Sequence, residues 1–279
     1  MPDDTRVTIP LASSTMISAP RLQINELSVG YGDLQVIEHL TLDIPTGDLT
    51  AIIGPNGCGK STLLKAMARV LPARAGQVLL DGQPVHNMQT RDVAKLMALL
   101  PQAPVAPEGL CVRELVAQGR FPHQSFIRQW SRKDTDAVAR AMAATDTECF
   151  GDRSVDALSG GQRQRVWIAM VLAQETPILL LDEPTTFLDL KVQVDLMTLL
   201  RRIAHEDGRT LVIVMHELNV AAAFADRVVM MRDGMVLAAG AVTDVFTEGN
   251  LAEVFGLSAT VLSDPETGRP VCIPRLGAR

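Results

Sequence analysis

The chain has 279 residues, of which 47% are hydrophobic, and it carries a formal net charge of −6. This length suits one large domain or a domain with an inserted lobe, and the apolar content excludes wholesale disorder. An acidic chain offers little for non-specific binding of nucleic acid, because phosphates are bound by lysine and arginine. A nucleic-acid-binding protein is therefore disfavoured, although a local basic patch within the acidic total would still permit one.

Neither a membrane-spanning segment nor a secretion signal is visible in the sequence. No apolar run approaches the ~18–20 residues that a spanning helix needs. Residues 1–20 lack the basic start and the continuous apolar stretch of a signal peptide, so we expect them to be a flexible leader on a soluble, cytoplasmic protein. The four cysteines are far apart and form no CxxC pair, so a metal site of that kind is not predicted.

The first elements are predicted to be strands followed by a helix. Residues 21–54 have β character, and Leu40–Ile44 alternates apolar and polar side chains, as a half-buried strand does. Leu49–Ile53 is almost entirely apolar, which is typical of a strand buried on both faces. Leucine and methionine at helical spacing then predict a helix from Thr62 to about Val70.

Two turns and three further elements follow from local patterns. Asp81-Gly82 and Asp233-Gly234 each lie between apolar residues and predict β-hairpins. The apolar runs 178–181 and 211–215 predict buried strands, and a helical pattern near 190–206 separates them.

The order of these patterns predicts an α/β core that is interrupted by a helical lobe. Residues 103–176 lack β-branched runs and show helical patterns throughout. We therefore assign 21–102 and 177–240 to the core, 103–176 to an inserted helical subdomain, and 241–279 to a short C-terminal extension.

A phosphate-binding loop connects the predicted strand Leu49–Ile53 to the predicted helix. Residues 54–61 match the pattern GxxxxGK[ST], in which backbone amides and a helix N-terminus surround a polyphosphate. Lys60 is expected to reach the β and γ phosphates, and the Ser61 hydroxyl is expected to bind Mg²⁺. The residues predicted to bind the nucleotide here are Gly54, Pro55, Asn56, Gly57, Cys58, Gly59, Lys60, Ser61 and Thr62.

Two acidic residues end the apolar strand at 178–181. Asp182 is placed to hold the Mg²⁺ shell, and Glu183 is placed to polarise an attacking water. Phosphoryl transfer depends on positioning and charge neutralisation, so these few groups are sufficient. Such a run alone usually marks a strand that meets solvent, and its pairing with the phosphate loop favours the catalytic interpretation.

The segment Leu158–Arg165, with the sequence LSGGQRQR, resembles the signature motif of ABC ATPases. Ser159 has the character of a helix N-cap, and the amides of Gly160 and Gly161 would make a second anion site there. The resemblance implies that Ser159, Gly160, Gly161 and Gln162 meet the γ-phosphate bound by another subunit. It therefore implies a homodimer with composite, hydrolytic ATP sites, and a P-loop NTPase (RecA-like) core with an N-terminal antiparallel β subdomain.

Four further residues occupy positions that resemble landmarks of this family. Tyr31 corresponds to the aromatic that stacks on adenine, and Gln102 to the Q-loop glutamine that touches Mg²⁺ or water. Asp189 corresponds to the D-loop aspartate at the dimer seam. His216, expected to follow the last core strand, corresponds to the switch histidine at the γ-phosphate. The resemblance thus gives Glu183, His216, Gln102 and Lys60 as the catalytic group.

Details outside the shared motifs resemble the ATPases of ferric siderophore importers. They are Gly119–His123, the stretch 163–176 and the stretch 182–189. The resemblance implies a separate transmembrane permease, an indirect partnership with a substrate-binding protein, and a place on the cytoplasmic face of the membrane. Haem and cobalamin importers share much of this pattern, so they remain alternatives. A soluble ABC ATPase without a permease, an exporter and an ATP-binding module without turnover also remain open.

Overall fold

The computed structural model describes residues 20–124 and 129–275, so the predicted leader, apart from Pro20, lies outside the described residues. The strands in these ranges are β1 (Leu22–Tyr31), β2 (Leu34–Ile44), β3 (Leu49–Ile53), β4 (Ala75–Leu80), β5 (Gln83–Pro84), β6 (Met97–Leu100), β7 (Ile178–Asp182), β8 (Thr210–Val214), β9 (Arg227–Arg232), β10 (Met235–Ala241), β11 (Ala259–Ser263) and β12 (Pro270–Pro274). The α-helices are α1 (Lys60–Met67), α2 (Thr90–Leu96), α3 (Val112–Gln118), α4 (Arg132–Ala144), α5 (Gly160–Ala173), α6 (Leu190–Glu206), α7 (Leu218–Phe224), α8 (Val242–Val245) and α9 (Glu248–Phe255).

A six-stranded sheet forms the centre of the fold, with the strand order β10-β9-β3-β8-β7-β6. Five of its strands are parallel, and β10 pairs antiparallel with β9 through the predicted hairpin at Asp233-Gly234. A four-stranded antiparallel sheet, β2-β1-β4-β5, is built from the N-terminal segment. The predicted α/β class with an antiparallel N-terminal sheet and a helical insertion is confirmed.

Apolar side chains cover both faces of the central sheet. In β3, Leu49, Ala51 and Ile53 belong to one core cluster, while Ile52 points into the other. The first cluster contains the buried faces of α3, α5 and α6, and the second lies under α1 and the antiparallel sheet. Because both faces are covered, the parallel strands have near-continuous apolar sequences, as the sequence of β3 predicted.

The helix after the phosphate loop is shorter than predicted. It begins at Lys60 and ends at Met67, because Arg69 adopts a left-handed backbone with φ 58. The Arg69 guanidinium donates to the carbonyl of Val85 at 3.0 Å and to the Thr90 hydroxyl at 2.7 Å. These hydrogen bonds to residues outside the helix fix Arg69 in this conformation, so the helix ends before Val70.

Helices α3, α4 and α5 lie between β6 and β7 in the sequence, and they pack against one another. They lie within residues 103–176, where the sequence predicts the helical subdomain, and the exact boundaries stay predictions. None of the helices in the described ranges has the length and apolar character needed to span a bilayer.

The packing of α3 against α5 depends on a close backbone approach at Gly119. A Cβ atom at this position would lie 2.1 Å from the carbonyl oxygen of Met170 and 3.2 Å from Cβ of Ala173. We expect Gly119→Ala to lower the free energy of unfolding by about 1–3 kcal/mol, because the two helices must move apart. Gly249→Ala is the control, since its Cβ would meet only the Thr247 hydroxyl at 4.0 Å. Equal urea midpoints for Gly119→Ala and the wild type would contradict the packing.

Candidate active site

The predicted catalytic and metal-binding residues gather at one edge of the central sheet. The strands β3, β6, β7 and β8 are parallel, so their carboxyl ends lie on the same side, where open α/β sheets bind ligands. The phosphate loop follows β3, Gln102 follows β6, Asp182 ends β7, and His216 follows β8. The prediction that β8 is the last core strand is wrong, because β9 continues the sheet on the other side of β3.

The phosphate loop wraps around the Lys60 side chain. Lys60 is 5% exposed, and its Nζ donates to the carbonyls of Gly54 at 2.9 Å and Pro55 at 2.8 Å. A Cβ at Gly54 would lie 2.1 Å from the carbonyl oxygen of Met231, so only glycine fits there. Gly59, the N-cap of α1, has φ 102 and gives the helix no side-chain cap. The first amides of α1 are therefore open to an anion, and Lys60 lies beside them.

The remaining loop residues differ in exposure. Asn56 and Gly57 are exposed, Pro55 is half-buried, and Cys58 and Thr62 are buried. The glycine at 57 has φ 78, a left-handed conformation that keeps this turn tight. Burial raises the pKa of the Cys58 thiol above its ordinary value, so the thiol stays neutral inside the loop.

Ser61 and Asp182 meet directly across the edge of the sheet. The Ser61 hydroxyl donates to Oδ1 of Asp182 at 2.8 Å, although the residues are 121 positions apart. Burial raises the pKa of the Asp182 carboxyl, the hydrogen bond from Ser61 partly opposes this rise, and the charge of Glu183 adds to it. A buried carboxylate beside a hydroxyl oxygen is a donor set of the kind that Mg²⁺ prefers, and a nearby cation would stabilise its charged form.

Glu183 is the centre of a hydrogen-bonded group at the end of β7. Its Oε2 accepts from Nε2 of Gln102 at 2.6 Å and from the Thr186 hydroxyl at 3.0 Å, and its Oε1 pairs with Nε2 of His216. Burial alone would raise the pKa of the Glu183 carboxyl, but the hydrogen bonds from His216, Thr186 and Gln102 outweigh it and lower this pKa. Glu183 is thus held as a carboxylate, the form that a base requires.

The backbone of Glu183 is in an unusual conformation. Its φ is 52, in a region that costs a residue with a side chain on the order of 1–3 kcal/mol. The amide of Glu183 is fixed by the carbonyl of Val214 at 3.1 Å, which ties the turn to β8. Such strain is concentrated at functional sites, where the surrounding structure holds it in place.

Tyr31 is the last residue of β1, next to the turn between β1 and β2, and it is 45% exposed. This hairpin packs on the phosphate loop, since a Cβ at Gly59 would lie 3.3 Å from the side chains of both Val36 and Ile37. Arg74 closes the turn by donating to Oε1 of Gln35 at 2.8 Å and to the carbonyls of Gly32 and Leu34. Arg74 belongs to no motif and lies about 40 residues away, so its contact with this turn could not be predicted from a local pattern.

The residues predicted to make the second anion site lie at the N-terminus of α5. The Ser159 hydroxyl accepts from the amide of Gln162 at 3.3 Å, and Oε1 of Gln162 accepts from the amide of Ser159 at 3.1 Å. The predicted N-cap is therefore present as a reciprocal capping box. Gly161 is needed for contact with α6, because its Cβ would lie 2.9 Å from Cγ1 of Val192.

A cavity of about 360 Å³ joins this signature site to the start of α6. Asp189 lines the cavity, and its carboxylate caps α6 by accepting from the amide of Val192 at 3.0 Å. Phe187 lies at the rim with its side chain fully exposed. Among the described residues, those lining this cavity include none from the phosphate loop. The structure thus brings the loop, Asp182, Glu183, Gln102 and His216 together, and leaves Ser159 and its neighbours apart.

Comparison with known proteins identifies the family of this chain. Residues 37–186 match the family model described as ABC transporter. The chain is 48% identical over 252 residues to the iron(3+)-hydroxamate import ATP-binding protein FhuC of Bacillus subtilis, covering 90% of this chain and 94% of that one. It is 46% identical over 257 residues to the ferric enterobactin transport ATP-binding protein FepC of Escherichia coli, covering 92% and 95%.

A solved structure shows the same architecture. The dimeric, post-hydrolysis structure of the ATP-binding cassette MJ0796, bound to ADP and Pi, superimposes with a TM-score of 0.70. It is 28% identical in sequence and covers 79% of this chain and 98% of that chain. The family match, the fold and the phosphate loop agree, and this chain belongs to the ABC transporter family. It is the ATP-binding subunit, and it hydrolyses ATP to drive transport.

Proposed function

We propose that this subunit drives the import of a ferric siderophore through a separate membrane permease. The observation that carries the proposal is the identity of 46–48% over at least 90% of the chain with FhuC and FepC, both named for the transport of ferric chelates. The ATPase need not touch its cargo, so the cargo is inferred from the relatives and from the segments 119–123, 163–176 and 182–189. On this proposal the subunit lies on the cytoplasmic face of the membrane.

In the proposed nucleotide complex, the phosphate loop and Lys60 bind the β and γ phosphates of ATP. The amides at the start of α1 face the phosphates, and Lys60 exchanges its bonds to Gly54 and Pro55 for phosphate oxygens. Tyr31, next to the turn held by Arg74, stacks on the adenine. Ser61 and Asp182 would hold Mg²⁺, with Gln102 near it, and this ion would supply neutralisation of phosphate charge.

Hydrolysis in this proposal is the work of Glu183 and the side chains bound to it. Glu183 is a carboxylate with its acceptor oxygens directed at Gln102, Thr186 and His216. When water takes the place of one of these partners, the carboxylate polarises it for attack on the γ-phosphate. His216 then donates toward the γ-phosphate, and Gln102 orients the water.

The active unit is proposed to be a homodimer with two composite sites. The cavity at Ser159 is separate from the phosphate loop of its own chain, and its rim carries the exposed Phe187. A second copy would place Ser159, Gly160, Gly161 and Gln162 against the γ-phosphate and Asp189 at the seam. The dimeric state of MJ0796, a cassette of the same fold, supports this arrangement.

Movement is proposed to reach the permease through the segment between Gln102 and His123. Arg120, at the end of this segment, is 4% exposed and donates to Asp134 at 2.9 Å and to Glu175 at 2.8 Å. The segment is thereby fixed to α4 and to the end of α5. A shift of α5 on dimer closure therefore also moves the segment between Gln102 and His123, where the permease is proposed to dock.

Uptake in cells that lack the gene tests the proposed function. We expect loss of radioiron uptake from ferric siderophores, restored by the wild-type gene and not by a Glu183→Gln variant expressed at the same level. Haem and cobalamin uptake are measured beside it as controls, and we expect both to be unchanged. Loss of haem or cobalamin uptake alone would instead show one of those importers, and no loss of any of the three uptakes would contradict the proposed cargo.

A further inference from the structure

The C-terminal hairpin lies against the helix that follows His216. Strands β11 and β12 pair over five residues each, and β12 packs on α7. Residues 187–279 lie beyond the segment that matches the family model, so that match says nothing of this contact. The motif residues described above include none from the hairpin, and its contact with α7 therefore needs a separate explanation.

Helix α7 has little means of holding its own position. It is seven residues long, and isolated helices shorter than about 12–15 residues are marginal in water. Its N-cap residue Glu217 forms no side-chain cap. The position of α7, and of His216 just before it, therefore depends on what packs against the helix.

The hairpin binds α7 near both ends. Asn219 pairs reciprocally with the backbone of Cys272: its Nδ2 donates to the carbonyl at 3.1 Å, and its Oδ1 accepts from the amide at 2.8 Å. Arg269 donates through Nη1 to the carbonyls of Ala222 at 3.0 Å and Ala225 at 2.7 Å. Ala222 is in the last turn of α7 and Ala225 is its C-cap, where a helix has no further amides to satisfy the carbonyls.

The hairpin is itself anchored to the rest of the fold. Cys272 is 4% exposed and belongs to the main hydrophobic core. Arg275 donates to the Thr260 hydroxyl at 2.6 Å and pairs with Glu248 of α9 at 3.3 Å. A hairpin fixed in this way can resist movement of α7.

We propose that the C-terminal hairpin positions His216 for ATP hydrolysis by clamping α7 through Asn219 and Arg269. His216 lies three residues before Asn219 and contacts Glu183, so a displacement of α7 changes the contact between His216 and Glu183. Asn219 and Arg269 are positioning residues that act through His216. The inference rests on the role of His216 in the proposed function.

The first test is the steady-state kinetics of Asn219→Ala in the full chain. We expect kcat to fall about three- to tenfold while KM for ATP changes less than about twofold, because the phosphate loop and Tyr31 are untouched. Asn250→Ala is the matched control, since its Nδ2 donates to the carbonyl of Val245 at 2.7 Å in the same C-terminal segment. The control should keep the wild-type kcat, and an equal loss in both variants would overturn the inference.

The second test asks whether the effect of Asn219 passes through His216. In a His216→Ala chain, adding Asn219→Ala should cause no further loss of single-turnover rate, because residues that act as a unit are not additive. A further loss as large as in the wild-type background would overturn the inference. All variants are checked by thermal unfolding, and Asn219→Asp, which keeps the acceptor for the Cys272 amide, replaces any Asn219→Ala chain that fails to fold.

The outcomes separate this inference from the proposed function. If His216→Ala turns over ATP at the wild-type rate, the proposed role of His216 is wrong and the inference fails with it. If His216→Ala is impaired but Asn219→Ala and Arg269→Ala both keep the wild-type kcat, the inference alone is wrong.

Discussion

Glu183→Gln is expected to reduce ATP turnover by about 10²–10⁴-fold while ATP still binds, because a neutral amide cannot polarise the attacking water as a carboxylate does. The substitution keeps the size of a side chain that is 9% exposed, so the fold should be retained. Phosphate release measures the turnover, and calorimetric titration measures the binding. On the proposed mechanism the variant also accumulates as an ATP-bound dimer, which size-exclusion chromatography with light scattering would detect.

Glu217→Gln provides a matched control at the same edge of the sheet. Glu217 accepts a bond from the Thr185 hydroxyl at 3.4 Å, and a glutamine oxygen can accept the same bond. This variant should keep turnover within about twofold of the wild type, because it keeps the bond from Thr185 and removes only one carboxylate charge next to His216. Wild-type turnover in Glu183→Gln would show that another group activates the water.

Lys60→Ala is expected to weaken ATP binding by about 10²-fold or more, because it removes charge-assisted hydrogen bonds to phosphate worth roughly 1.5–3 kcal/mol each. Lys60 lies inside the phosphate loop, where its Nζ is bound to the carbonyls of Gly54 and Pro55. Alanine leaves those carbonyls without a cation, so thermal unfolding is measured beside the dissociation constant.

Lys133→Ala removes an equal charge from α4, outside the phosphate loop. It should bind ATP as the wild type does, which separates a specific contact from a change in net charge. Unchanged ATP affinity in Lys60→Ala would contradict the assignment of the loop.

The local parts of the site could be predicted because each of them depends on a short run of consecutive residues. The strand Leu49–Ile53, the loop and the helix follow one another, and glycine is required where the backbone of Met231 approaches Gly54. The strand that ends at Asp182 and the cap at Ser159 are likewise set by short patterns. For the same reason, the hairpins at Asp81-Gly82 and Asp233-Gly234 were predictable.

The contacts between distant segments could not be predicted from such patterns. Gln102 and Glu183 are 81 residues apart, and Asn219 and the backbone of Cys272 are 53 apart. The first pairing depends on β6 and β7 being neighbours in the sheet, and the second depends on the packing of β12 against α7. The expectation that His216 follows the last core strand was wrong because β9, which the sequence predicted only as part of a hairpin, pairs with β3 and extends the central sheet. The left-handed backbone of Glu183 also has no local signal.

The central claim is that one chain holds half of each ATP site and that Ser159 of a second copy completes it. Disulfide cross-linking tests this claim most directly, in chains that carry Glu183→Gln and serine in place of the four native cysteines. Asn56→Cys and Ser159→Cys alter two exposed residues, and chains with one or the other are mixed in equal amounts. We predict a cross-linked dimer that forms with MgATP, is absent without nucleotide, and is absent when either chain is used alone. No cross-link in the mixture with MgATP would contradict the composite site.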